Sequence, residues 1–371
     1  MTITRNRRRS GYASSYLVRG LSLIELMIAL LLGLVVTAAA GGMLLANKRV
    51  YASTATLNRI QENTRVSFEL MSRDLREAGG NPCGGAIPII SQLESGDNSW
   101  WTQYADGLHG YDGDAPGTTT GTGTAQRVAG TDAIDLHMAN NGDIRVTEHD
   151  NPSAVLNVTS TADLSNDDIL MVCNNSFAMV FQATGLTGSG LKIGHNGGGG
   201  SGNNCGNEFQ YKRNCTSGAS GDAGYCFLVP EDKSVNPNCA KHSRSPATVV
   251  KVQSFRWYIG NNARGGTSLY RATLINETGA LIPTVADTVE IAEGVSGMNL
   301  LYRVNGAANF ETATAITTAN NWDAVNAVQV GLTVEGAEGA LKGGYLAGTN
   351  GEALSRQLTH IVALRNKEGV L

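Results

Sequence analysis

Residues 19–26 read Arg19-Gly20-Leu21-Ser22-Leu23-Ile24-Glu25-Leu26 and open an apolar run that reaches Ala46. Between Leu21 and Ala46 the only charged residue is Glu25. As a helix this run is about 39 Å long at ~1.5 Å per residue, which crosses a hydrocarbon core of ~30 Å. An ionisable side chain inside such a span costs roughly 2.5–3.5 kcal/mol near its centre and less near its end. Glu25 therefore either meets a partner or lies at headgroup level. Before the span stand Arg5, Arg7, Arg8, Arg9 and Arg19 with no acid among the first 20 residues; after it come Lys48 and Arg49. The larger basic cluster puts the N-terminus in the cytoplasm and everything after about Asn47 outside. Two other readings of this end compete. Ala38-Ala39-Ala40 has the small residues of an ordinary signal-peptide site, although helical character continues well beyond it. Arg7-Arg8-Arg9 has a poor likeness to a twin-arginine signal.

Downstream, Val50 to Gly79 contains no proline, and Leu57, Ile60, Thr64, Phe68, Met71, Leu75 and Ala78 recur at spacings of three and four. Asn58, Arg59, Glu62, Arg65, Glu69, Arg73 and Asp74 fill the other faces, with Glu69 and Arg73 as an i,i+4 pair. Gly79-Gly80-Asn81-Pro82 ends the helix. A continuous helix over 21–79 is expected, about 88 Å long at ~1.5 Å per residue. Its second half lays its stripe against a β-sheet or another core surface. Gly33, Gly41 and Gly42 lie in the apolar half, where small residues permit close helix approach in a membrane.

After Pro82 the pattern changes to short β-like runs separated by Gly, Asn, Thr and Asp clusters. The expected strands are 133–138, 169–172, 178–183, 249–259, 269–274, 285–292, 298–304, 324–334 and 358–365. Loop tracts are expected near 105–131 and 184–224; the second holds Gly197–Gly200 without a phosphate-binding G-x-x-x-x-G-K-[ST]. Of 371 residues, 46 are glycine, about 12% against a usual ~7%. Charged residues are 16% and hydrophobic residues 42%, so a weakly charged, loop-rich body with a real core is expected. With the five leader arginines set aside, 23 basic residues face 32 acidic ones. That balance excludes nucleic acid as the main partner, since phosphate binding needs a cationic face.

The stretch Arg19 to Leu26 resembles the type IV prepilin motif. The resemblance implies cleavage by the prepilin peptidase after Gly20, methylation of the new N-terminus at Leu21, and a role for Glu25 in meeting the N-terminal amine of a neighbouring subunit. Two features depart from the family: Leu21 stands where Phe or Met is usual, and the leader is long. Gly42 stands where many major pilins have a kinking proline. At the level of the whole chain, the protein resembles the PilW family of minor pilins. The resemblance rests on Asp74-Leu75-Arg76-Glu77-Ala78-Gly79 with Cys83, on Val289 to Val295 through Leu300-Leu301-Tyr302, and on Trp322, Val325, Val328 and Val330 followed by Thr359 to Asn366. It implies an α+β, pilin-like fold: a long N-terminal helix packed on an antiparallel β-sheet body with long loops. The expected organisation is a leader over 1–20, a membrane or filament-core helix over 21–46, an amphipathic helix over 47–79 and an extracytoplasmic body over 80–371.

Six cysteines, Cys83, Cys173, Cys205, Cys215, Cys226 and Cys239, outside the cytoplasm favour disulfides over zinc, because no C-x-x-C is present. Six cysteines allow 15 pairings; one joins Cys83 to Cys173 and leaves two bridges in the later cluster. Catalytic motifs are missing: there is no H-E-x-x-H, no G-x-S-x-G and no G-x-G-x-x-G after a strand. His137 and His360 fall on expected strands, and His109, His149, His195 and His242 in loops, where solvated side chains are expected. Asp112-Gly113-Asp114 reads as a solvated turn rather than a calcium loop. Trp100-Trp101 with Tyr104 reads either as an exposed adhesive patch or as buried aromatics. The expected function is a non-enzymatic minor pilin without cofactor or metal. Its expected partners are other minor pilins, the major pilin, the prepilin peptidase and the inner-membrane assembly platform. A type II secretion pseudopilin and a tip adhesin module are the alternatives.

Overall fold

A computed structural model describes residues 20, 22–84, 87–93, 100, 104, 106–113, 115, 117, 120–139, 142–150, 154–187, 191–197, 204–210, 224–229, 231, 239–275, 284–336 and 354–367. The density of contacts divides the chain into residues 1–55 and 56–371. Helix α1 runs from Leu23 to Glu77. Ser22 starts it: its hydroxyl accepts from the Glu25 N–H at 3.2 Å and its carbonyl from Leu26 N–H at 3.1 Å. Gly79 ends it at φ +70, its N–H donating to the His137 carbonyl at 2.8 Å. A Cβ on Gly107, itself at φ +73, would lie 2.6 Å from the Gly79 Cα, so two backbones cross where only hydrogen fits.

The body begins with short strands β1 (Ile89–Ser91) and β2 (Leu108–Tyr111), followed by β3 (Ala133–Ala139), β4 (Ile144–Asp150) and β5 (Val155–Val158). Then come β6 (Ile169–Cys173), β7 (Ala178–Gln182), β8 (Gly185–Thr187), β9 (Lys192–Gly194), β10 (Gly224–Cys226) and β11 (Cys239–His242). The chain closes with β12 (Thr248–Asn261), β13 (Thr267–Ile275), β14 (Thr284–Glu293), β15 (Val295–Val304), α2 (Ala313–Ala319), β16 (Val325–Glu335) and β17 (Ser355–Ala363). All nine expected strands are present. The class is α+β, and the sheets are mixed rather than purely antiparallel: β1 pairs parallel with β7, and β10 with β11.

Strand β12 organises the body because its two ends serve different neighbours. Its first residues, Thr248 to Lys251, pair with β6, while Val252 to Tyr258 pair with β3 and Phe255 to Asn261 with β13. Two main cores result. One joins Ile60, Met71 and Leu75 of α1 to Leu136, Trp257, Ile259 and the inner residues of β15 and β16, such as Leu300 and Val330. The other fills the lobe of β4 to β9 with Leu156, Leu170, Phe181, Ile193, Phe209 and Phe227. Each fully buried large apolar side chain of α1 contributes roughly 1.5–3 kcal/mol.

Several expectations are corrected. The buried stripe of α1 runs through Thr56, Ile60, Thr64, Ser67, Met71, Asp74 and Leu75, while Leu57 is 45% exposed. Ile60, Thr64, Met71, Leu75 and Ala78 of the expected stripe are buried and Phe68 packs against the core, whereas Asp74, expected on a polar face, is buried with partners inside. Glu69 meets Arg65 at 3.9 Å rather than Arg73. The tract 105–131 contains β2 and is held by Arg127, whose buried guanidinium donates to the carbonyls of Asp112 (3.1 Å) and Thr131 (2.9 Å). The tract 184–224 contains β8 and β9. Helix α2, absent from the expected elements, is capped by Thr312 and by Asp112, whose carboxylate accepts from Ala313 N–H at 3.0 Å and Thr314 N–H at 2.8 Å. Asp112 therefore caps a helix instead of lying in a solvated turn; Asp114 lies outside the described residues.

Candidate functional site

The candidate site is the apolar part of α1 together with the contacts that fix the rest of the helix in the body. Gly20 is exposed; Leu21 lies outside the described residues. Glu25 stands in the first turn of α1, where the helix dipole favours an anion. Around and beyond it, Leu23, Leu34 and Met43 are 80%, 70% and 70% exposed. No residue from Ser22 to Tyr51 is buried by this chain. The run is long and apolar enough to cross a membrane. Its one hydroxyl in the middle, on Thr37, is satisfied within the helix by the Gly33 carbonyl at 2.9 Å. A Cβ on Gly33, Gly41 or Gly42 would meet nothing within 4 Å, so packing inside this chain does not require those glycines.

The later turns of α1 are fixed by polar contacts that the hydrophobic pattern does not announce. Asp74 is buried, and its carboxylate accepts from Trp257 Nε1 at 3.1 Å and from Arg271 Nε at 2.7 Å. The Arg271 guanidinium also lies 3.6 Å from the centre of the Phe255 ring. Asn63 Nδ2 donates to the Glu293 carbonyl at 2.7 Å. At the end of the helix, Arg365 N–H and Asn366 Nδ2 donate to the carbonyls of Arg76 (3.3 Å) and Glu77 (3.2 Å), two of the acceptors a helix C-terminus leaves open. An acid beside Trp- and Arg-bearing strands is the only sequence signal for this node, and it does not reveal the pairing.

Beneath these contacts lies a buried polar layer. Arg256 forms a bidentate pair with Asp135 at 2.5 and 2.6 Å, Tyr111 donates to the same carboxylate at 2.8 Å, and Trp100 covers the guanidinium at 4.7 Å. Trp100 and Tyr104 are buried, so they form no adhesive surface; Trp101 lies outside the described residues. Ser254 Oγ donates to Tyr104 and lies 3.0 Å from His137 Nδ1. Burial pushes the His137 pKa down to about 4.

The histidines also depart from expectation. His149 lies on β4 and is buried, as is His195 just after β9; aromatic neighbours replace the expected water. His109 lies on β2, half-buried, and His242 on β11, exposed. His360 is exposed on β17, its ring centre 4.4 Å from that of Phe68. Among the described residues no three metal-ligating side chains converge. Cys83 is bonded to Cys173, joining the exit of α1 to β6, and Cys226 to Cys239, joining β10 to β11. Cys205 is disulfide-bonded as well; Cys215 lies outside the described residues.

A long apolar helix followed by a sheet-rich body defines an α+β protein with, among the described residues, one helix long and apolar enough to cross a membrane. Residues 256–366, from within β12 to the cap on α1, match the family described as Type IV Pilus-assembly protein W. The match covers 111 of the 371 residues, and over that segment the chain is similar to a type IV pilus-assembly family. The matched region holds Trp257, Arg271, Arg365 and Asn366, four of the residues that fix α1. No curated protein and no solved structure matches the chain.

Proposed function

We propose that this protein is a minor pilin that primes or promotes pilus assembly from the inner membrane and stands near the pilus tip, supporting twitching motility and adhesion. The carrying observation is the uncovered apolar surface of α1 with Glu25 as its one charge, in the same chain as a PilW-matching segment. Before assembly that surface lies in lipid, with the leader 1–20 in the cytoplasm and the body in the periplasm. After the peptidase cuts between Gly20 and Leu21, the helix over 21–46 passes from lipid to the filament core. Glu25 meets the new amine of a neighbouring subunit, which fixes the axial register. Gly33, Gly41 and Gly42 let neighbouring helices approach closely. The role is structural: the partners are other minor pilins, the major pilin and the assembly platform, and the work is done by packing.

The test is the mass and sequence of the mature N-terminus in native membranes. A methylated Leu21 is expected. An intact Met1, or a start at Gly41, would overturn the reading in favour of a simple anchor or a secreted protein. Deleting the gene then separates a pilus role, with loss of twitching, from a secretion role, with loss of exoproteins.

A further inference from the structure

His149 and His195 are 46 residues apart in sequence, yet their Nε2 atoms lie 3.1 Å apart in the buried core of the β4–β9 lobe. The proton positions follow from the neighbours. The Phe227 N–H donates to His149 Nδ1 at 3.1 Å, so that nitrogen carries no proton and His149 Nε2 does. His149 Nε2–H then donates to His195 Nε2, and the remaining His195 proton sits on Nδ1, which has no hydrogen-bond partner. Both rings are neutral, and both of their acceptor nitrogens are occupied. A proton added to His195 Nε2 would face the His149 proton; one added to His149 Nδ1 would face the Phe227 amide. Either way a buried hydrogen bond becomes a repulsion. The same assignment argues against a metal, because His149 Nε2 has no lone pair to offer.

Among the described residues the surroundings are mostly aromatic, and the backbone at His195 favours an added proton less than burial opposes it. His195 stacks on Phe209 with ring centres 4.1 Å apart and meets Phe181 at 5.9 Å. His149 lies 5.3 Å from Phe209 and 6.3 Å from Phe227. Tyr225 of β10 directs its hydroxyl to Asn174, which donates to it. Among the described residues of these elements, no other charged group acts on either ring, and a proton on His149 would oppose one on His195. Phe227 directly follows Cys226, so the bond to His149 ties the Cys226–Cys239 bridged pair β10–β11 to β4.

We infer that the His149–His195 pair is an acid-sensitive latch: protonation of either ring frees the disulfide-bridged β10–β11 pair from β4 and opens this lobe before the α1-bearing core gives way. Burial holds the His149 pKa down at about 3 and that of His195 well below its ordinary value. Proton uptake is therefore coupled to opening, and acid favours the open lobe at pH values below about 6.5.

The test is hydrogen exchange of the full-length protein in lipid nanodiscs at pH 7.0 and 4.5, corrected for intrinsic rates, with imidazole nitrogen NMR of the same sample. The amides of Phe227 and His195 are expected to accelerate at least tenfold more than those of Val328 to Leu332 on β16. The NMR is expected to show His149 protonated at Nε2 and His195 at Nδ1 at neutral pH. His149→Asn puts an amide oxygen near the Nδ1 position and can accept from Phe227 but takes no proton, and is expected to reduce the extra acceleration at least threefold. Should that variant not fold, the parent's exchange and NMR decide alone. Equal acceleration of both cores, no acceleration, or two imidazoles titrating near pH 6.5 would each overturn the inference.

Discussion

Glu25 and Asp74 lie on one helix, but among the described residues only the Asp74 carboxylate has partners, Trp257 and Arg271. Glu25 makes no side-chain hydrogen bond or ion pair with a described residue, and it stands in a helical turn where an anion is worth ~0.3–1 kcal/mol. Glu25→Ala is therefore expected to leave membrane insertion intact and to reduce the protein in sheared filaments at least tenfold, measured by immunoblot of membrane and filament fractions. Equal amounts in the filaments would remove Glu25 from assembly. Asp74 is buried between Trp257 and Arg271. Asp74→Ala strands a partly buried guanidinium and an indole N–H, a loss of about 3–5 kcal/mol by analogy with broken buried pairs. Asp74→Asn keeps an acceptor and should lose less. Urea unfolding of the full-length protein, followed by tryptophan fluorescence, distinguishes the two; an unchanged midpoint for Asp74→Ala would show that the node does not hold the helix. Glu25 was legible because it interrupts an apolar run. Asp74 was not, since an acid among Arg73, Arg76 and Glu77 reads as one more solvated charge.

At the scale of elements, the Cys83–Cys173 bridge closes a separation of 90 residues between the exit of α1 and β6. Replacing both cysteines with serine is expected to lower stability by about 2–4 kcal/mol, read as a lower midpoint in thermal unfolding of the oxidised protein. A midpoint unchanged between parent and variant would mean that the packing of β6 alone places that segment. The long strands β3, β12, β15 and β16 were legible because their apolar runs are buried on at least one face over seven or more residues. Strand β4 was not: Ile144-Arg145-Val146-Thr147-Glu148-His149-Asp150 has two apolar residues, and the buried face is completed by His149. Strands β8 to β11 are three or four residues long, too short for periodicity to register. Helix α2 was hidden by its composition, Ala and Thr with a single Ile, and is specified by caps supplied from Asp112, about 200 residues away in sequence. The meeting of His149 with His195 is likewise a tertiary fact with no local signature.

For the whole molecule, the buried histidines give stability a definite dependence on pH. His137 is lowered to about 4 by burial, and His109 is lowered by burial as well. Together with the His149–His195 pair, these groups bind fewer protons folded than unfolded. Their contribution is fully present above about pH 6.5 and is lost as pH falls through the folded values. Each such histidine can remove up to ~1.4 kcal/mol per pH unit within that window. Asp106 and Asp132, raised by burial, take up protons in the folded state and oppose the fall at its acidic end. Among the described residues these histidines outnumber those carboxylates, so the urea midpoint of the full-length protein is expected to drop between pH 7.5 and pH 4.5. In His137→Gln the midpoint should be lower at pH 7.5, because the contact with Ser254 is altered, while the difference between the two pH values should shrink. A drop of equal size in parent and variant would place the acid sensitivity elsewhere, and a midpoint that rises on acidification would mean the buried carboxylates dominate.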